Sequence, residues 1–204
     1  MGSGRPARRR TRGGPDRSRV KTLETDRLVI RPFVFDDAGE YRRLLDETFG
    51  HESYGAEDTA RLLFEYHVIA DKAHDALHQT PYEDRAIVRR SDGTLIGAVG
   101  FAACLAPFGQ LRSFDGAPHR TSEVGLFWAL FPEHQGNGYA TEAARAMVSY
   151  AFDELDLARI VATTEHDNLR SIAVMKRLGM TIERNPLAEP HWLQTVGVLV
   201  NRAP

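Results

Sequence analysis

At 204 residues, with 42% hydrophobic and 26% charged positions, the chain has the bulk of one ordinary globular domain. A net charge of -2 offers no general attraction for nucleic acid or an anionic membrane, so neither is an expected stable partner. The single cysteine, Cys104, excludes an intrachain disulfide and a cysteine-rich zinc site. No metal is expected. No apolar run reaches bilayer-spanning length, and a reducing cytoplasm is the default setting.

The first twenty residues form a basic segment, with seven arginines from Arg5 to Arg19 against one acid, Asp16. Almost nothing in it can be buried, so a disordered tail is expected over 1–20, with one folded domain over 21–204. No hydrophobic segment follows the arginines as a signal peptide would require. Pro6 also stands where a myristoylation signal needs Ser or Thr.

From Leu23 to Arg31 the pattern alternates as a strand, stopped by Pro32. Asp36 and Asp37 open a helix to about Asp46, with Tyr41, Leu44 and Leu45 on one face. A second helix is expected from about Glu57 to Leu77, carrying Leu62, Leu63, Tyr66 and Ile69 and ended by Pro81. Arg85–Arg89 and Thr94–Phe101, joined through Ser91-Asp92-Gly93, read as a hairpin. The Gly- and Pro-rich stretch from Ala102 to Thr121 is long for a plain connection and reads as a functional loop. Glu123 to Phe131 then reads as a buried strand bounded by Pro132.

The strongest helical pattern follows: Ala140, Ala143, Ala144, Met147, Val148, Ala151, Phe152 and Leu155 share one face. Arg159–Thr164 returns as a strand, and a short helix from about Leu169 to Leu178 stops at Gly179. Two more strands are expected around Met180–Arg184 and Trp192–Val200. The mixed order, without internal repeats, describes one α+β domain.

Gln135-Gly136-Asn137-Gly138-Tyr139-Ala140 lies between a strand and the strongest helix. Glycines there let the backbone turn tightly and approach a ligand. The unpaired amides and positive dipole of the helix start favour an anion, with pyrophosphate the expected occupant. Gly138 is followed by Tyr139-Ala140 rather than Lys-Ser or Lys-Thr, so this is no P-loop. A dinucleotide fold would need a third glycine and an early position. A purely structural turn fits the local pattern equally well.

The run from Trp128 to Ala143 closely resembles the acetyl-CoA signature of GNAT acetyltransferases. Asn168-Leu169-Arg170-Ser171, continuing through Val174 to Met180, resembles that family's second cofactor segment. Leu23-Glu24-Thr25-Asp26-Arg27-Leu28 with Arg31-Pro32 is similar to the branch of ribosomal-protein N-terminal acetyltransferases, the RimJ/RimL-like type.

The resemblance implies an α+β GNAT fold: a mixed, mostly antiparallel sheet with a splayed strand pair, flanked by about four helices. It implies direct acetyl transfer from acetyl-CoA to a primary amine, on a protein N-terminus or a small molecule. Trp128 and Leu130 would pair through their backbones with the pantetheine, though plain core packing explains both side chains. Gln135, Gly136, Asn137, Gly138, Tyr139, Ala140 and Thr141 would cradle the pyrophosphate.

Asn168 would lie beside the cofactor, or serve simply as a helix N-cap. Ser171 would bring a hydroxyl to the departing sulfur, the bland alternative being a solvent-facing serine. Glu123 is the first choice of base for the acceptor amine, against an ordinary strand-end acid, with Glu183 and His119 behind it. Cys104 reads as a small buried hydrophobe. The last strand lacks the Asp and Tyr that many relatives carry. A silent acyl-CoA-binding module is the rival reading, and monomer and homodimer are both open.

Overall fold

The computed structural model describes residues 22–50, 57–77, 82–114 and 120–201. The basic segment and Pro81 therefore lie outside the described residues, as does His119. One eight-stranded sheet organises the chain, in the order β1-β2-β3-β4-β5-β6-β8-β7. The expected first strand is two, β1 (Leu23–Glu24) and β2 (Leu28–Pro32), because the chain reverses at Thr25. There the Thr25 amide donates to the Leu28 carbonyl at 2.9 Å and its hydroxyl accepts from the Leu28 amide at 3.0 Å.

The hairpin forms as expected. β3 (Asp84–Arg89) and β4 (Leu95–Ala106) pair antiparallel, and β4 pairs with β5 (Thr121–Leu130) along its length. The expected loop from Ala102 is thus shorter than its composition suggested, since Ala102 to Ala106 complete β4. Beyond it, the Glu183 carboxylate accepts from the amides of Arg112 and Ser113, at 2.7 and 2.9 Å. Burial alone would raise that carboxyl's pKa, but the Ser113 hydroxyl, which also donates to it, and the two amides outweigh burial and hold it low. Glu183, a reserve candidate for the base, is a capping acid.

Helix α1 (Ala38–Phe49) and helix α2 (Glu57–Ala76) cover one face of β2 to β5. α2 buries Ala60, Phe64 and Val68, while Leu62, Tyr66 and Ile69 face outward. Helix α3 (Tyr139–Ser149), extended by a π-type turn over Tyr150–Glu154, covers the other face. Beside it lies helix α4 (Leu169–Arg177), closed by Gly179 at φ 81°. β6 (Arg159–Thr164) and β7 (Thr181–Arg184) stand where expected, with β8 (Thr195–Val200) between them. No described helix is long and apolar enough to cross a membrane.

One ion pair ties the sheet to α1. The Asp37 carboxylate takes two guanidinium bonds from Arg31, at 2.7 and 2.9 Å, and one from the Val34 amide at 2.9 Å. Burial opposes ionisation of Asp37, but Arg31 and the amide outweigh it and depress the carboxyl. A depressed acid contributes stability that is full above its ordinary value of 3.8 and is lost as pH falls through the folded value. Asp37→Ala should therefore cost about 1–3 kcal/mol at neutral pH. Thermal melts should show the gap from wild type closing in strong acid; a gap that stays constant with pH would contradict the assignment.

Candidate active site

The parallel neighbours β5 and β6 share one backbone pairing, Gly125 opposite Val161. From Leu126 onward, the edge of β5 that faces β6 has no strand partner among the described residues. The two strands diverge there and open a groove of about 2100 Å³ between β5, the turn after it, α3 and α4. Trp128 and Leu130 line this groove while also packing into the core beneath α3. The Leu130 carbonyl accepts from Gln135 Nε2 at 3.0 Å, and Gln135 Oε1 accepts from Arg170 at 2.7 Å. This relay connects β5, the glycine turn and the start of α4.

Gly136 and Gly138 adopt φ of 79° and 80°, the left-handed region open to glycine. Gly138 is the N-cap of α3. Its carbonyl accepts from the Glu142 amide at 3.0 Å, which leaves the three helical amides before Glu142 outside that bond. Among the described residues, the amides of Gly136 to Thr141 find no backbone acceptor outside the helix itself. All six of these residues line the groove. Unpaired amides at the positive end of a helix are suited to a diphosphate.

The strand motif at the chain's start acts at this same turn. Glu142 accepts from the Thr25 hydroxyl at 2.6 Å, the Arg27 amide at 3.0 Å and Arg27 Nε at 2.7 Å. Arg27 also donates to the Asn137 carbonyl at 3.1 Å, and its guanidinium lies 4.5 Å from the Tyr139 ring centre. Burial would raise the Glu142 carboxyl, but Thr25 and Arg27 outweigh it and keep the group ionised. Arg27 thereby offsets an acid that would otherwise repel an anion one turn away. The sequence reading did not assign this role, although Arg27 and Glu142 both sit inside its motifs. Replacing Arg27 by Ala should weaken CoA binding roughly tenfold in a calorimetric titration, and an unchanged affinity would remove the residue from the cradle.

On α4, Asn168 is the N-cap: its Oδ1 accepts from the Ser171 amide at 3.1 Å. The modest reading of Asn168 is therefore correct, and its position on the groove wall is compatible with the other. Ser171 also lines the groove. Cys104 is half-buried and packs beside a small cluster under Phe108 and Phe114.

Glu123 stands apart. It is buried near the start of β5, outside the residues lining the groove. Both carboxylate oxygens are engaged by Arg159, at 2.6 and 2.7 Å. A carboxylate gripped by both arms of a guanidinium is held in place by two charge-assisted hydrogen bonds. The geometry thus places Glu123, the expected base, outside the groove and on Arg159. Among the described residues, no cluster of three or more His, Cys, Asp or Glu could hold a metal.

A splayed parallel pair beside a glycine-rich helix start defines a class of acyl-carrier-dependent transferases, and the sequence comparison agrees: the acetyltransferase (GNAT) domain family matches residues 27–181. The chain belongs to the GNAT acetyltransferases, enzymes that use acetyl-CoA. It is 32% identical over 165 residues to the N-acetyltransferase YnaD of Bacillus subtilis (strain 168), covering 79% of this chain and 83% of that one. It is 26% identical over 156 residues to the spermidine N(1)-acetyltransferase of Escherichia coli (strain K12), covering 76% and 74%. The crystal structure of an acetyltransferase from Agrobacterium tumefaciens str. C58 superposes with a TM-score of 0.65 at 26% identity, over 88% of this chain and 94% of that one.

Proposed function

We propose that this acetyltransferase moves the acetyl group of acetyl-CoA directly onto a primary amine bound at the same time. The observation that carries this reading is one groove holding both the free amides of Gly136 to Thr141 and the unpaired edge of β5. Acetyl-CoA brings a thioester, whose acyl carbon an amine can attack. The chain's part is to orient it: turn amides on the diphosphate, the β5 edge at Trp128 and Leu130 along the pantetheine, and Asn168 beside it.

Ser171 stands on the groove wall at the first turn of α4. Its hydroxyl would donate to the sulfur as that atom gains charge. The acceptor must lose its proton, and with Glu123 locked to Arg159, water is the natural first recipient. The Leu23 to Pro32 motif supports a protein N-terminus as acceptor, including one of ribosomal type; a small amine is the alternative.

Purified protein given acetyl-CoA and a panel of amines and N-terminal peptides should release CoA above the rate of hydrolysis. Ser171→Ala should lower kcat about a hundredfold while leaving CoA affinity intact. The engagement of Glu123 favours one second reading, a silent acyl-CoA-binding module. Tight CoA binding with no turnover on any amine would select it.

A further inference from the structure

A smaller cavity, of about 210 Å³, lies on the sheet face opposite α3, under α1. Its floor is one row across three strands: Asp84 on β3 pairs with Gly100 on β4, and Gly100 pairs with Phe127 on β5. Gly100 has no side chain, and a Cβ there would come within 2.8 Å of Asp84 Oδ1. The carboxylate therefore lies over bare backbone, across a notch from the Phe127 ring. Ala98, Ala102 and Ala129 continue this low floor, and α1 supplies an apolar and aromatic roof. Ala129 also lines the cofactor groove, so one β5 residue separates the two spaces.

We propose that this cavity receives the acceptor, that Asp84 binds its ammonium until a water takes the proton and frees the neutral amine for attack, and that the pocket selects monoamines with a compact apolar body. The proposal rests on the acetyl-transfer reading above and adds the acceptor's chemistry to it. Asp84 is the one carboxylate among the described lining residues. Its neighbour Glu83 is committed elsewhere, to His67 Nδ1 at 3.0 Å and His74 at 3.5 Å. His67 Nε2 stands 3.8 Å from Asp84, an ion-pair distance that leaves the carboxylate free to take a closer cation.

Burial pushes the Asp84 carboxyl up to about 6, against the pull of His67. An arriving ammonium would favour its ionised form, and the two charges would stabilise each other. A single acid in a cavity this small suits one cation. A long polycation would leave its other charges against Leu44, Leu45 and the aromatic rings.

The test is a pair of calorimetric titrations on the full chain. CoA is added first; phenethylamine, a phenylalanyl tripeptide amide or spermidine is then added to CoA-saturated protein. Phenethylamine or the peptide should bind, and whichever is tighter identifies a free amine or a peptide terminus as the source. Asp84→Asn should weaken that binding about tenfold or more while CoA affinity stays unchanged. Ala102→Phe, at an exposed position on the cavity wall, should obstruct the same binding without touching Asp84. Spermidine binding as tightly as phenethylamine would overturn the proposal, as would an amine affinity indifferent to both substitutions. Failure of wild type to bind CoA would strike the acetyl-transfer reading instead, and the same amine titrations on the free protein would still judge the pocket.

Discussion

Gly138→Val should abolish measurable CoA binding, with a loss of at least about a hundredfold. Gly138 holds φ 80° at the N-cap of α3, where a β-branched residue is a genuine outlier. Left-handed backbone alone costs an ordinary residue roughly 1–2 kcal/mol. The substitution has two ways to relax, and both damage the site. If the backbone keeps its angle, the strain is stored in the turn, and a Cβ arrives at ordinary contact distance, 3.6 Å, from the Arg27 guanidinium, with the valine methyls beyond it crowding the clasp between Arg27, Asn137 and Glu142. If the backbone flips to negative φ, the amides from Gly136 to Thr141 no longer converge.

An alanine at Gly136, where a Cβ meets nothing within 4 Å, provides the comparison. It carries the same backbone strain without the contact. Calorimetry should rank CoA affinity as wild type, then Gly136→Ala, then Gly138→Val. Equal affinities for all three would show that the turn's conformation does not matter to binding.

The second large effect falls on stability. Arg159→Ala leaves Glu123 buried and without the guanidinium that holds both its oxygens. Breaking a buried pair from one side costs about 3–5 kcal/mol, because the remaining charge is uncompensated. Arg159 is about one-third exposed, at 35%, so water reaches part of the site and about 3 kcal/mol is the better figure. For a chain of this size that corresponds to a melting point roughly 6–12 °C lower.

Arg159 also lies with its guanidinium 4.4 Å from the Phe114 ring centre, so the same change loosens the segment after β4. Arg159→Ala combined with Glu123→Leu should recover much of the loss, since removing both charges leaves neither stranded. Glu123→Gln separates structure from chemistry. If Glu123 is structural, turnover follows the folded fraction and the pH–rate profile keeps its shape. Disappearance of one limb of that profile, with the protein still folded, would restore Glu123 as the base.

Much of this architecture is visible in the residues. α3 and α4 carry clean helical spacing with a polar opposite face, and glycines mark the start of one and the end of the other. Their positions, and that of β6 between them, follow from local pattern. α2 is different. Leu62, Leu63, Phe64, Tyr66, Val68 and Ile69 surround the helix, so periodicity cannot choose its buried side. Packing against Phe33 and Tyr41 decides for Phe64, and Tyr66 and Ile69 face outward.

The same distinction divides the site. Gly136, Gly138 and Asn168 owe their places to local backbone geometry, the glycines at a tight turn and Asn168 at a helix N-cap, which sequence spacing records. The engagement of Glu123 is not legible because its partner, Arg159, lies 36 residues away and meets it only once β5 and β6 run side by side. Asp84, proposed to meet the acceptor, is hidden in the sequence for the same reason. A lone acid at a strand start has no signature until Gly100, on the next strand, uncovers its carboxylate.

The central claim is that amides at the start of α3 grip the diphosphate of acetyl-CoA. Amide-resolved hydrogen exchange, with and without acetyl-CoA, tests it most directly. The account predicts slower exchange at Gly136 to Thr141 and along the free edge of β5 from Leu126 to Leu130, with little change on the far face of α2. Protection that appears elsewhere while these amides exchange at their original rates would contradict it.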